Sequence, residues 1–184
     1  WDFGIYYRVP DFGFGNFRLR FNAARLKSFV QSAGPDGQEI IDGIAAGVLP
    51  LDVTFGGLGQ LLQVDGRPKW RASGSINWES GPVDIGLFGQ YVGRVFDTSV
   101  VRDVLIVSDD PNANFFQVDE QFTINLSIAY TIDNGTKLDG TRLRFAINNL
   151  FDEDPPLADE VFGYYSDLHS PRGRQFAIEL RKKF

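Results

Sequence analysis

The chain contains no cysteine, no methionine and a single histidine, His169. Without cysteine there is no disulfide framework, no thiolate metal site and no cysteine nucleophile. One histidine excludes every site that needs two. Long hydrophobic runs are missing as well: no stretch approaches the roughly 18 continuous apolar residues of a transmembrane helix. A basic surplus is also lacking, because 18 Lys+Arg face 24 Asp+Glu for a formal charge of −6. Nucleic acid is therefore not an expected partner. With no Met anywhere, the 184 residues read as a processed or partial chain. The opening Trp1-Asp2-Phe3-Gly4 has neither the basic region nor the apolar run of a secretory leader. What is plentiful is aromatic, with 17 Phe, 6 Tyr and 3 Trp, and that composition leans to β-structure.

The dominant pattern has a period of two. Phe17, Leu19, Phe21 and Ala23 alternate with Arg18, Arg20 and Asn22, and Trp70 through Trp78 alternate with Arg71, Ser73, Ser75 and Asn77. Similar runs follow at Val83 to Tyr91, Phe122 to Tyr130, Leu143 to Ile147 and Phe176 to Leu180, and one precedes them at Phe3 to Val9. Successive side chains of a strand point to opposite faces, so each run has one apolar and one mostly polar face. The expected strands lie near 1–9, 16–29, 68–80, 83–96, 118–132, 141–150 and 174–184. A short helix over 38–46 is the one helical expectation. The connections alternate between short turns and long loops, the long ones spanning 30–67, 97–117 and 151–173. Turns at one end and elaborate loops at the other are the asymmetry of an outer-membrane β-barrel.

The two faces differ in charge. In the second to seventh runs the apolar register carries no charged residue, while the opposite register holds Arg18, Arg20, Arg71, Asp84, Arg142, Arg144, Glu179 and Arg181. A lone Lys or Arg against lipid at the membrane midplane costs roughly 2–4 kcal/mol, whereas a lumen position is wet. The uncharged register is thus expected to face lipid and the five arginines Arg18, Arg20, Arg71, Arg142 and Arg144 to line a lumen. Tyr7, Phe17, Trp78 and Tyr130 near the short turns, with Trp70 and Tyr91 near the long loops, fit two interfacial girdles. An ordinary protein core beneath the apolar register, as in a lipocalin-like soluble binding protein, is the competing reading. A small autonomous membrane barrel with a structural or adhesive role is another, and it would need an eighth strand. The long segments 31–66, 97–120 and 151–171 hold most of the acids and Arg102 as their single base. The acidic segments suit exposed loops and cation-bridged contact with lipopolysaccharide.

The C-terminal part carries a more particular set of motifs: Leu143-Arg144-Phe145-Ala146-Ile147-Asn148-Asn149-Leu150-Phe151-Asp152, then Pro155-Pro156, Gly163-Tyr164-Tyr165, Pro171-Arg172-Gly173-Arg174 and a strand ending in Phe184. It resembles the end of a TonB-dependent outer-membrane receptor. The motif residues of the resemblance are Asn148, Asn149, Leu150, Phe151, Asp152, Arg172 and Gly173. Pro68-Lys69-Trp70-Arg71 and Gln90-Tyr91-Val92-Gly93-Arg94 resemble two further strands of such receptors. The resemblance implies an all-β, antiparallel up-and-down transmembrane barrel of roughly 22 strands, of which residues 1–184 supply about seven. It also implies a plug domain and an energy-coupling box, neither of which this sequence contains. The implied activity is binding and import of a scarce nutrient, a ferric siderophore or another ligand too large for porins. Implied partners are outer-membrane lipid and lipopolysaccharide, the remaining barrel and plug, and the TonB system through that plug. Phe176, Ile178, Leu180 and Phe184 resemble the signal read by the barrel-assembly machinery.

No enzyme, cofactor or metal centre is expected. Asp152 and Asp154 are loop acids beside Pro155-Pro156, a poor setting for paired-carboxylate catalysis. Gly56-Gly57-Leu58-Gly59 lacks the following Lys of a phosphate loop. Asp109-Asp110-Pro111-Asn112-Ala113-Asn114 offers oxygens but not the spaced Gly and terminal Glu of a calcium loop. Phe115, Phe116, Tyr164 and Tyr165, in long loops, are the candidates for stacking on a ligand.

Overall fold

The computed structural model describes residues 1–11, 13–49, 58–101 and 112–182. The chain order is β1 (Asp2–Val9), β2 (Asn16–Arg25), β3 (Val30–Gln31), α1 (Pro35–Ala45), β4 (Gly59–Gln60), β5 (Trp70–Ser80), β6 (Val83–Val92), β7 (Val95–Val101), β8 (Phe115–Val118), β9 (Gln121–Thr131), β10 (Thr141–Asn148) and β11 (Gln175–Lys182). The protein is all-β in its main body: one seven-stranded antiparallel sheet in the order β1-β2-β5-β6-β9-β10-β11. Each expected strand is present, and each pairs with its neighbour in the meander. The sheet does not close on itself, and β1 and β11 are its two edges.

Register converts the period-two pattern into two surfaces. Tyr7, Leu19, Ile76, Leu87, Leu126, Ile147 and Phe176 stand opposite one another across all seven strands. A neighbouring row runs Val9, Phe17, Trp78, Ile85, Ile128, Phe145 and Ile178. A one-residue slip in any strand would send its apolar set to the other face, so the rows hold the register together. Aromatic pairs brace them: Phe17 and Trp78 lie with ring centroids 6.4 Å apart, and Phe145 and Phe176 at 6.2 Å. Phe3 reaches Trp70 at 6.2 Å over the small Ala23 between their strands. Gly74 and Gly89 pair side by side in this face and leave a recess of about 460 Å³. The rings of Phe21 and Phe122 lean against them, 3.6 and 3.5 Å from where a Cβ would sit.

The burial is inverted relative to a soluble sheet. Among the described residues, the buried apolar side chains are Leu61, Val64, Val92, Val95, Phe96, Val118, Ala129, Ala158 and Tyr165. Only Val92 and Ala129 belong to the seven-stranded sheet, and both lie in its polar register. The apolar register contributes none, and Ile5, Ile178 and Leu180 are 63%, 75% and 71% exposed.

The long connections are more structured than the sequence pattern foretold. Helix α1 spans Pro35–Ala45 rather than 38–46, with Pro35 in its first turn. The strand expected over 83–96 stops at Val92. Gly93 then donates to the Trp70 carbonyl at 2.9 Å, and Val95 and Phe96 turn into a separate hairpin of β7 with β8. The strand expected over 118–132 is shorter, β9 starting at Gln121, while Val118 ends β8, which forms from residues expected in the loop 97–117; β2 ends at Arg25 rather than 29. The strand expected over 141–150 ends at Asn148, because Asn149 adopts a left-handed φ of 51°.

Short turns close the opposite end. Asp11 Oδ1 accepts from the N–H groups of Gly13 and Gly15 at 2.6 and 2.9 Å, which holds its carboxyl below the usual carboxylate range. Gly81 takes the positive φ (54°) that the two-residue β5–β6 hairpin requires. Lys182 interrupts the apolar alternation of β11, and its ammonium donates to the carbonyls of Lys137, at 3.0 Å, and Asp139 in the β9–β10 turn.

Gly15 combines a φ of +94° with a Cβ position only 2.3 Å from the Glu79 carbonyl, while Gly13, at +98°, faces open space. Gly15→Ala is expected to lower stability by about 2 kcal/mol or more, against about 1 kcal/mol for Gly13→Ala. Denaturant titration of the folded chain measures both. Equal losses would show that the Glu79 contact does not matter.

Candidate functional site

The polar face of the sheet holds the chain's charged framework. Arg18 pairs with Glu79, Arg142 with Asp84 at 3.1 Å, and Arg144 and Arg181 both with Glu179 at 3.7 and 3.0 Å. Register places these groups: Glu79 stands opposite Asp84, and Arg144 opposite Glu179. Arg8 facing Arg18, and Arg142 facing Arg181, would repel if the acids were absent. All four pairs are partly exposed, so each contributes at most about 1 kcal/mol, and their effect is to space the guanidinium groups. Arg20 instead lies over the Tyr6 ring, 5.7 Å from its centroid. Between Asn77, Ser127, Arg142, Arg144 and Glu179 runs a polar groove of about 290 Å³. Gly86 keeps it open, since a Cβ there would come within 2.9 Å of Ser127 Oγ and 3.1 Å of Asn77 Oδ1.

At the long-loop end the three connections fold onto one another. Val95, Val118, Ala158 and Tyr165 form a small core with Leu168 against it. Two acids tie the loops. Asp65 accepts from the Thr98 N–H at 3.0 Å and from its hydroxyl. Asp97, 2% exposed, accepts from the Ser99 N–H and hydroxyl through Oδ1, and from the Asp159 N–H at 2.8 Å through Oδ2. Burial, and the negative charge of Asp97 and Asp65, push the Tyr165 hydroxyl well above the ordinary tyrosine range, so it stays protonated. Neither acid stood out in the sequence. The Asp97-Thr98-Ser99 run, a short polar side chain bonding the N–H two residues on, was the available signal.

The motif residues prove to be one mechanical unit. Asn149 Nδ2 donates to the carbonyls of Glu153 and Arg172 at 2.9 and 3.1 Å, and its Oδ1 accepts from the Glu153 N–H at 2.9 Å. Its own N–H donates to Asn125 Oδ1 at 2.8 Å, and the Leu150 N–H donates to the Ile124 carbonyl at 2.7 Å. Asp152 Oδ1 accepts from the Arg174 N–H at 2.6 Å and lies 3.0 Å from a Cβ placed on Gly173. The start and the return of the third loop are thus clamped side by side where β10 and β11 diverge beyond the last pair, Asn148 with Gln175. Phe151, next to this neck, is exposed.

The expected ligand contacts separate. Phe115 and Phe116 lie on β8 rather than in an open loop, and Tyr165 is buried within the loop core. Tyr164 is half-buried, with its ring 6.3 Å from that of Phe162. Phe176, Ile178 and Leu180 line the exposed apolar side of edge strand β11, and Phe184 lies outside the described residues. Residues 109–111 of the oxygen-rich segment and Gly56-Gly57 also lie outside them. Among the described residues no group of His, Cys, Asp and Glu is arranged to hold a metal. Comparison with family models, curated proteins and solved structures gives no match.

His169 is the residue that sequence reasoning passed over. It is 3% exposed, its backbone N–H donates to the Tyr165 carbonyl at 2.9 Å, and neither ring nitrogen has a hydrogen-bond partner. Burial, and secondarily the Arg71 guanidinium, lower its pKa. Arg71 belongs to the polar register of β5.

Two outcomes follow. Asn149→Ala removes the clamp's side-chain bonds and places Ala at a left-handed φ, at a cost of about 2–4 kcal/mol to the docked loop. Hydrogen exchange should accelerate across 150–173 while the amides of β5 and β6 stay protected. Uniform acceleration would mean that the clamp serves the whole sheet. Because the docked loop disfavours charged His169, docking is complete above the ordinary histidine value of about 6.5 and weakens as pH falls below it. Limited proteolysis of the loop should rise between pH 7.5 and 5, and His169→Leu should flatten that rise. An unchanged pH response in the variant would clear His169.

Proposed function

We propose that the chain is a wall segment of an outer-membrane transporter barrel, with the apolar register against lipid and the polar register lining the passage. The observation that carries this reading is the inverted burial: an antiparallel sheet whose apolar face buries none of its side chains among the described residues. Withdrawing a large apolar side chain from water contributes about 1.5–3 kcal/mol. Leaving face-wide rows of Leu, Ile, Phe and Trp in water would forgo an amount comparable to the whole stability of a domain. Against hydrocarbon that loss disappears. A lipocalin-like cup would bury the same register inside a closed barrel, yet the buried residues lie in the loops and the polar register.

The two open edges extend the reading. Unpaired backbone groups at membrane depth cost several kcal/mol each, so β1 and β11 call for further strands on both sides. A barrel of the TonB-dependent type, with roughly 22 strands and a plug, supplies them. The arginine framework would then present spaced guanidinium groups to an anionic cargo such as a ferric siderophore, or to plug carboxylates. Neutral, ion-paired spacing suits a path better than a tight site, because cargo must leave as well as bind. Binding and passage, without covalent chemistry, is the activity this arrangement favours.

All three tryptophans, Trp1, Trp70 and Trp78, lie in the apolar register. The chain is therefore expected to need detergent or lipid to stay folded, to float with phosphatidylcholine vesicles, and to lose most of its tryptophan fluorescence to brominated acyl chains. A monodisperse, β-rich species in plain buffer would overturn the membrane reading.

A further inference from the structure

The turn between β9 and β10 carries Asn134-Gly135, where Asn134 is the single Asn of the chain that precedes a glycine. Its side-chain amide is held from both sides. Asn134 Oδ1 accepts from the Thr136 N–H at 3.1 Å and from the Thr136 hydroxyl at 2.7 Å. That hydroxyl is itself oriented, because its oxygen accepts from the Leu138 N–H at 3.2 Å. Asp139 Oδ1 accepts from the Asn134 N–H at 3.0 Å and from the Gly135 N–H at 3.4 Å. Residues 133–139 are all exposed, and a Cβ placed on Gly135 would meet nothing within 4 Å.

Each of these contacts falls on an atom that one reaction uses. A bond from the Gly135 nitrogen to the Asn134 side-chain carbonyl carbon closes a five-membered ring, and an intramolecular attack of that kind gains from proximity. Gly135 has no Cβ to obstruct it. The two donors on Oδ1 stabilise the oxyanion that forms as the amide carbon is attacked. The Asp139 carboxylate is placed to take the proton that the attacking nitrogen must lose. Exposure supplies the water for the step that follows.

We propose that Asn134 is a self-modification site, deamidated through a succinimide with Thr136 and Asp139 assisting. The Gly135 nitrogen bonds to Asn134 Cγ and its proton passes to Asp139. The Cγ–Nδ2 bond then breaks, and the amide nitrogen leaves with that proton as ammonia. One water opens the ring at either carbonyl and yields aspartate or isoaspartate. The balance is water in and ammonia out, with no oxidant or reductant. Isoaspartate adds one carbon to the main chain and a negative charge to a turn whose Lys137 and Asp139 carbonyls accept from the Lys182 ammonium. The modification therefore alters the tie between this turn and edge strand β11. It does not depend on the membrane reading.

The test incubates the full folded chain at neutral pH and samples it over days. Mass spectrometry of the chymotryptic peptide 131–138 reads the gain of about one dalton, and isoaspartyl methyltransferase labelling reads the isoaspartate. The expected result is conversion at Asn134 at least about fivefold faster than in the same chain unfolded in guanidinium chloride, with isoaspartate among the products. Thr136→Val and Asp139→Ser should each remove that excess without changing the unfolded rate, and Thr136→Ser, which keeps the hydroxyl, should retain it. Absence of the mass gain at Asn134 would overturn the site. A folded rate no higher than the unfolded one would overturn the assistance by the turn, as would folded Thr136→Val and Asp139→Ser chains that react as fast as the wild type.

Discussion

Cross-strand register is the constraint on which the other features depend. Each strand alternates apolar and polar side chains, and alternation alone would allow any strand to present either face. Pairing Leu19 with Ile76, Ile76 with Leu87 and Leu87 with Leu126 aligns the alternation of successive strands. The same pairing places Glu79 beside Asp84 and Glu179 beside Arg144, so the ion pairs of the polar face are a by-product of the apolar rows. Slipping one strand would put charge among the aromatics and leave carboxylates unpaired, which makes the register cooperative across the sheet.

The neck of the third loop is where local and long-range structure meet. Asn149 and Asp152 take left-handed backbone conformations, which Asn and Asp tolerate better than most residues. Their side chains then reach backbone groups on the returning strand that the departing strands no longer pair. The motif that suggested a receptor family therefore has a physical role independent of any family: it closes a loop of more than twenty residues at its base. Closing that base lowers the conformational freedom of everything above it.

The sheet was largely legible in the sequence because a period of two is a local signal and the apolar set of each strand lies within one run. Ends were legible where turn residues marked them, as at Gly81-Pro82, and were misplaced where a run of apolar residues continued past the sheet. Val95 continues the alternation of β6 and Phe96 follows it, yet they pack beside Val118 and near Val64, residues distant in sequence. Nothing local distinguishes a valine bound for a loop core from one bound for the exposed face of the sheet. The ties made by Asp65 and Asp97, and the burial of His169, were hidden for the same reason. Each depends on another connection arriving from elsewhere in the chain. Of the candidate site, the arginines of the polar face and the aromatic margins could be read directly, but which cations would be neutralised could not.

The loop core sets how the long-loop end of the molecule can move. Hydrogen bonds and apolar contacts join the first connection to β7, and β7 and β8 to the third connection. The third connection is pinned at its base by Asn149. Three separate connections would each sample their own positions. Connections that share contacts in this way are coupled, so displacing one of them breaks bonds or packing in another.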